Sequence, residues 1–131
     1  MIVVDTSVWI EFLRGSDQPQ ALRLEQLIDA SAPVALTDVV MTELLQGVPS
    51  DEEAELLEAR LLAFPMLRLE RVEDFALAAS LYRQARGAGV TIRKTLDCLI
   101  AAPCVRARAP LLHADADFDR LAGCTALEVV P

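Results

Sequence analysis

Residues 2–10 read IVVDTSVWI, and this stretch decides the fold that we predict for the chain. Its first three residues are all β-branched and apolar, which is typical of a buried strand. Asp5 follows them directly, and Thr6 and Ser7 are residues that favour the start of a helix, so we expect one of the two to be its N-cap. The stretch therefore predicts a strand that leads into a helix, with a carboxylate at the carboxyl end of the strand.

The same pattern recurs along the chain. Short apolar runs lie at residues 34–36, 66–69, 111–112 and 127–130, and segments of helical period separate them. Alternation of strands and helices is typical of an α/β fold, so we predict a mainly parallel central sheet of about five strands.

The helical segments have recognisable ends. We expect helices over residues 6–15, 21–30, 39–46, 51–63, 72–86, 91–108 and 117–121. Ser50 and Glu53 form a capping-box pattern at the start of the fourth helix. Pro103 is expected to kink or divide the sixth, because proline lacks the N–H of a helical hydrogen bond and crowds the preceding turn.

Length and composition limit the class of protein. The chain has 131 residues, 53% of them hydrophobic and 24% charged, which predicts one globular domain over residues 1–131 and excludes a disordered chain. No apolar run reaches the roughly 20 residues of a membrane span, and the N-terminus lacks the pattern of a signal peptide, so we expect a cytoplasmic protein. Three cysteines without a C-x-x-C pair predict reduced thiols rather than disulfides or a zinc site.

The net charge of −8 constrains the partners. An acidic surface repels nucleic acid at long range, while it favours cations and basic proteins. Any nucleic-acid function must therefore rely on local positive charge.

Four acids occupy positions where a solvated side chain is not expected: Asp5, Glu43, Asp97 and Asp115. Asp5 and Asp115 follow the first and fourth strands, and ligands of open α/β sheets bind at the carboxyl ends of strands that flank a switch in strand order. Asp5 and Asp115 could also simply be the N-caps of the helices that follow them.

The other two acids lie on predicted helices, and Asp97 is the more unusual of the two. Glu43 lies three and four residues after Val40 and Val39, on a face that should be buried, although it could reach solvent at the edge of that face. Asp97 lies among apolar residues on nearly every side, and an ion pair with Arg93 one turn earlier is its ordinary explanation.

A single divalent-cation site accounts for all four acids. Carboxylates crowded together resist joint ionisation unless a cation neutralises them. Oxygen ligands without a His or Cys cluster indicate Mg²⁺, with Mn²⁺ as a substitute, rather than zinc. Such an ion can lower the pKa of a water molecule for in-line attack on phosphorus, so the pattern favours phosphodiester hydrolysis.

Four segments of the sequence resemble those of a known family. The segments VDTSVW, TELLQG, RKTLDCLIAA and LLHADADFDRLA are similar to those of PIN-domain ribonucleases, specifically VapC-type toxins, and the match covers essentially the whole chain. The resemblance implies a three-layer α/β/α PIN-like domain whose acids Asp5, Glu43, Asp97 and Asp115 form a metal pocket. It also implies Mg²⁺-dependent cleavage of structured RNA such as tRNA or rRNA, a basic, DNA-binding antitoxin as partner, and a homodimer.

Several roles stay open from sequence. Asp117 is a second candidate for the fourth acid, beside Asp115 or in its place. Thr6 and Ser7 carry hydroxyls that could orient Asp5 or a water molecule, and Arg93 and Lys94 could contact an RNA phosphate or simply be solvated. The alternative function is a catalytically weak, metal-binding PIN-fold module that acts through protein binding or regulation.

Overall fold

The computed structural model describes residues 1–131 as alternating strands and helices. In chain order the elements are β1 (Ile2–Val4), α1 (Thr6–Leu13), α2 (Pro19–Asp29), β2 (Val34–Thr37), α3 (Asp38–Gln46), α4 (Asp51–Leu61), β3 (Met66–Leu67), α5 (Val72–Gly87), α6 (Thr95–Ala107), β4 (Leu111–Leu112) and α7 (Ala116–Ala122). The predicted α/β class is confirmed. No helix of the chain has both the length and the apolar character needed to cross a bilayer.

The sheet has the strand order β3-β2-β1-β4, and every neighbouring pair is parallel. Val3 of β1 pairs with Ala35 on one side and with Leu111 on the other. The chain thus adds β2 and β3 on one side of β1 and then returns to place β4 on the opposite side. This reversal confirms the predicted switch point and brings the carboxyl ends of β1 and β4 side by side.

The fifth predicted strand is reduced to a single parallel bridge between Leu111 and Val129. Two backbone hydrogen bonds support it, from Leu111 to the carbonyl of Glu128 and from Val130 to the carbonyl of Leu111. Pro131 follows at once and has no N–H to extend the ladder. The sheet therefore has four strands with an edge contact where the fifth was expected.

Both faces of the sheet are covered. Val3 and Val4 are completely buried, and so are Ala35 and Leu36, although successive side chains of a strand point to opposite faces. This burial requires helices on both sides, as in the predicted three-layer arrangement. All three cysteines are free, as expected.

The predicted start of α6 is wrong, and of the two outcomes expected at Pro103, a kink or a division, the division does not occur. The helix begins at Thr95 rather than at residue 91, and it continues through Pro103 to Ala107 instead of being divided there. Pro103 removes one helical hydrogen bond, but it is buried among Ala101, Ala102 and Cys104, which pack into the core. Tertiary packing therefore outweighs the local cost of proline.

Candidate active site

A pocket of about 260 Å³ lies where β1, α3, α6 and the loop after β4 meet. Its lining residues are Asp5, Thr6, Ser7, Ile10, Glu43, Gln46, Lys94, Asp97 and Asp115. All four acids singled out in the sequence thus reach one pocket, at the edge of the sheet where the topology predicts a ligand site.

Asp5 is held rigidly at the start of α1. It is the N-cap of that helix, and its Oδ2 accepts hydrogen bonds from the Ser7 backbone N–H at 3.2 Å and from Ser7 Oγ at 2.6 Å. The prediction that Thr6 or Ser7 caps α1 is wrong, because both lie within its first turn. Burial raises the pKa of Asp5, and the hydrogen bonds from Ser7 offset only part of that effect.

Ser7 also connects Asp5 to the loop after β4. The backbone N–H of Ala114 donates a hydrogen bond to Ser7 Oγ at 3.2 Å. The same hydroxyl therefore orients the acid that follows β1 and contacts the loop that carries Asp115.

Glu43 reaches the pocket from α3 and is half-buried. Thr6 Oγ1 donates a hydrogen bond of 2.7 Å to Glu43 Oε1. Thr6 thus orients Glu43 rather than Asp5, because the helical start places its side chain toward α3.

Asp97 has the least favourable surroundings of the four acids. It is 6% exposed, and its Oδ2 is buried without any hydrogen-bond donor. Burial, followed by repulsion from Asp5 and Asp115, raises the pKa of Asp97 to about 6. The alternative explanation of Asp97, an ion pair with Arg93, does not hold, since Arg93 pairs with Asp117 and Asp115. An unpartnered carboxylate oxygen among other acids fits a divalent cation.

Asp115 and Asp117 differ sharply in their partners. Asp115 is the N-cap of α7, where its Oδ1 accepts the Asp117 N–H at 3.0 Å, and it lines the pocket. Asp117 is 1% exposed, and it accepts hydrogen bonds from Arg93 Nε at 3.0 Å and from Arg120. Burial alone would raise the pKa of Asp117, but these two arginines lower it.

The acids that lie within ligand distance of one another are not the same set as the acids that line the pocket. Ligand atoms of Asp97, Asp115 and Asp117 can all lie within 4.8 Å of one another, whereas Asp117 does not line the pocket. Asp97 and Asp115 belong to both groups. Asp117 is the less suitable cation ligand, because both of its oxygens already accept hydrogen bonds from arginine.

The two basic residues before α6 are also distinct. Lys94 is exposed, lines the pocket and forms no ion pair. The Arg93 side chain is 68% exposed, with Nε bound to Asp117 and Nη2 at 3.7 Å from Asp115.

Two residues of the pocket, Gln46 and Ile10, are not among those assigned to the site from sequence. Gln46 follows Glu43 by three residues, so helical spacing could have placed it there, while Ile10 gave no polar signal. His113 lies outside the pocket: its Nδ1 accepts the Asp115 N–H at 3.1 Å, which leaves Nε2–H to donate to Asp119 at 3.0 Å. His113 thus fixes the loop that presents Asp115.

Comparison with known proteins gives a consistent result. The PIN domain family model matches residues 2–123. The chain is 38% identical over 129 residues to Ribonuclease VapC11 of Mycobacterium tuberculosis, an alignment that covers 98% of this chain and 96% of that protein. A VapC ribonuclease of Mycobacterium bovis matches at the same identity and coverage.

Solved structures show the same fold. FitAcB from Neisseria gonorrhoeae superposes with a TM-score of 0.75 at 22% identity and covers 100% of this chain and 97% of its own. VapBC2 from Rickettsia felis, bound to a DNA fragment from its promoter, gives a TM-score of 0.75 at 17% identity and covers 99% of this chain and 98% of its own.

Proposed function

Because this chain belongs to the PIN-domain family and, within it, to the VapC ribonucleases, we propose that it is a Mg²⁺-dependent endoribonuclease and the toxin of a toxin–antitoxin pair. The proposal includes hydrolysis of phosphodiester bonds in structured RNA of the tRNA or rRNA class, by one domain over residues 1–131, in the cytoplasm. The observation that carries it is the convergence of Asp5, Glu43, Asp97 and Asp115 on one pocket.

The donor set fits Mg²⁺, with Mn²⁺ as a substitute. It consists of carboxylate oxygens, without cysteine or histidine, and it includes the buried, unpartnered Oδ2 of Asp97. When bound, the cation would lower the pKa of an attacking water molecule and offset negative charge on the phosphodiester oxygens.

The protein's own contribution is to hold the acids in place. Ser7 fixes Asp5, and Thr6 fixes Glu43, each through a short hydrogen bond. Asp115 is fixed as the N-cap of α7. Ligands that are already oriented lose little conformational entropy when a cation binds, which favours affinity and a defined geometry.

Local positive charge supports an RNA substrate despite the net charge of −8. Residues 75–96 contain no acid, although the chain has 20, and they carry Arg83, Arg86, Arg93 and Lys94. Lys94 lines the pocket without an ionic partner, so we propose it as an RNA phosphate contact. Arg93 is proposed as a second contact through its Nη1, because the side chain is 68% exposed and only Nε and Nη2 lie next to acids.

A groove between α1 and α2 supports an antitoxin as partner. It has a volume of about 430 Å³ and combines the apolar Phe12, Leu22 and Ile28 with the acids Asp17, Glu25 and Asp29. Such a surface fits a basic, amphipathic segment, which matches the proposed basic, DNA-binding antitoxin.

A homodimer is also part of the proposal. Val72 and Phe75 on α5 are 81% and 52% exposed, and large apolar side chains at the surface favour burial against another chain. Light scattering of the purified protein would measure the mass in solution and decide between monomer and dimer.

The deciding experiment is RNA cleavage by the purified protein with Mg²⁺, with Mn²⁺ and with EDTA. We expect cleavage of total tRNA or rRNA only with a divalent cation, and loss of at least about 100-fold in rate for Asp5→Asn and Asp97→Asn, because each removes a proposed ligand. Glu53→Gln, an exposed acid on α4, is the matched control and should leave the rate unchanged.

Circular dichroism would establish that the variants fold. Undiminished cleavage in EDTA or in either pocket variant would overturn the assignment of the site. A protein that binds Mg²⁺ but leaves every tested RNA intact would instead be a regulatory, metal-binding module.

A further inference from the structure

Asp117 is a candidate cation ligand by distance alone. A ligand oxygen of it can lie within 4.8 Å of ligand oxygens of Asp97 and Asp115. Whether Asp117 binds the cation therefore depends on the hydrogen bonds that its two carboxylate oxygens already accept.

Both oxygens of Asp117 are occupied by arginine. Oδ2 accepts from Arg93 Nε at 3.0 Å, and Oδ1 accepts from Arg120 Nη1. The side chain is 1% exposed and does not line the pocket. A cation at Asp117 would lie in a buried place beside two guanidinium groups, whose positive charges repel it.

Arg93 links this buried acid to the pocket. Its Nε is bound to Asp117, and its Nη2 lies 3.7 Å from Asp115 Oδ1. The guanidinium is a planar fork, so fixing Nε on Asp117 also fixes where Nη2 lies. Asp117 thereby determines how closely a permanent positive charge approaches Asp115.

We propose that Asp117 is a positioning residue, which holds the Arg93 guanidinium at 3.7 Å from Asp115, short of a direct hydrogen bond, and that it does not itself bind the divalent cation. The inference rests on the proposed function, because it concerns the same cation. It makes Asp115 the fourth ligand, and it gives Arg93 a second role as a fixed charge that competes with the cation for Asp115.

A charge-compensated double variant separates the two roles of Asp117. Asp117→Asn together with Arg93→Gln removes one negative and one positive charge, so the net charge around the pocket is unchanged. Asp115 keeps its orientation in this variant, because the backbone N–H at residue 117 still donates to Asp115 Oδ1.

Isothermal titration calorimetry with Mn²⁺, without RNA, is the readout. We expect Asp117→Asn to weaken Mn²⁺ binding by about 10-fold or more, because the released Arg93 is free to pair with Asp115. The double variant should return to within about 3-fold of the wild-type affinity, since Asp117 contributes no ligand. A double variant that stays about 10-fold weaker would overturn the proposal and make Asp117 a ligand.

Arg120→Gln is the matched control for Arg93→Gln, because each loses one arginine bound to Asp117. Competition at Asp115 predicts tighter Mn²⁺ binding for Arg93→Gln than for Arg120→Gln. Equal affinities would mean that only the net charge matters and would overturn the competing role of Arg93.

Asp115→Asn tests the proposal even if Asp117→Asn fails to fold, since Asp115 is partly exposed. We expect about 10-fold weaker Mn²⁺ binding, whereas an affinity close to wild type would show that Asp115 is not a ligand and would overturn the proposal. If the wild-type protein binds no Mn²⁺ at all, the metal requirement of the proposed function fails as well. Wild-type binding with the wrong pattern among the variants overturns this inference alone.

Discussion

Asp97 shows how a residue of the proposed site can oppose the stability of the folded chain. It is buried, one of its oxygens has no donor, and Asp5 and Asp115 repel its charge. Its pKa of about 6 lies above the ordinary 3.8, so the folded state favours the protonated form. The resulting stabilisation is complete below the unfolded pKa and is lost as the pH rises through about 6. At neutral pH the ionised group therefore destabilises the metal-free protein.

Asp97→Asn is consequently expected to stabilise the metal-free protein at about pH 7.5, while it removes cleavage. The pKa difference corresponds to about 3 kcal/mol, and solvent screening at the pocket lowers our expectation to about 1–2 kcal/mol. Urea unfolding at about pH 7.5 and about pH 4 measures it, and the advantage should shrink at the lower pH. Glu58→Gln, an exposed acid on α4, is the control, and a variant no more stable than wild type would contradict the argument.

The residues around Asp97 also show the limits of sequence. The four pocket acids could be identified from the sequence, because each lies at a position where solvated acids are rare. The arginine contacts could not, because Arg93 lies 24 positions from Asp117 and only four from Asp97. Local spacing favoured a contact between Arg93 and Asp97. In the folded chain α7 packs close to the loop before α6, and Arg93 binds Asp117 instead.

At the scale of elements, α5 and α6 are joined at one end by an ionic cluster. Asp74 in the first turn of α5 accepts the Glu70 N–H at 2.7 Å, the Arg71 N–H at 3.3 Å and a hydrogen bond from Arg106 near the end of α6. Arg106 Nη2 also donates to the Arg68 carbonyl at 2.8 Å. The cluster therefore joins the end of α6 to the start of α5.

Asp74→Asn should therefore reduce stability in a pH-dependent way. The Glu70 N–H, then the Arg71 N–H and Arg106, hold the pKa of Asp74 below its ordinary value despite burial. The stabilisation is present above the ordinary pKa of about 4 and is lost as the pH falls through the folded value. Thermal unfolding from neutral to acid pH measures it.

The melting-temperature difference between wild type and Asp74→Asn should be largest near neutral pH and vanish in strong acid. Glu73→Gln changes an exposed acid in the same turn and is the control. A difference that persists at low pH would mean that the aspartate acts through packing rather than charge.

Helix boundaries illustrate what local rules can and cannot give. The Ser50 cap of α4 is confirmed, with the Glu53 N–H donating to Ser50 Oγ at 3.2 Å, because capping is a local interaction. The division of α6 at Pro103 is wrong, because core packing around a buried proline is not a local interaction.

At the scale of the whole molecule, the pocket links metal binding to folding. Its acids are brought together only in the folded chain, so a cation that binds there binds the native state and not the unfolded one. Adding positive charge to a protein of net charge −8 also reduces general repulsion.

Mg²⁺ should therefore raise the melting temperature. At about 100 times the dissociation constant the stabilisation is about 2.7 kcal/mol, which corresponds to several degrees for a chain of this size. The increase should be smaller at about pH 5.5 than at about pH 7.5, because protons compete for Asp97 near its pKa of about 6. Differential scanning fluorimetry measures it.

Asp97→Asn is the control for that experiment and should lose most of the shift. No shift in the wild-type protein at millimolar Mg²⁺ would contradict a preformed cation pocket. An equal shift in the variant would place the stabilising ion elsewhere on the acidic surface.

The sequence by itself determined the α/β class, the parallel sheet and the four acids that meet in the pocket. It could do so because strand and helix periods, caps and misplaced charges are all visible over a few consecutive residues. Only the tertiary structure decided that Asp5 both caps α1 and lines the pocket, that Thr6 orients Glu43, and that Asp117 is bound by arginines. Those contacts depend on how distant elements pack, and packing is a property of the whole chain rather than of any segment.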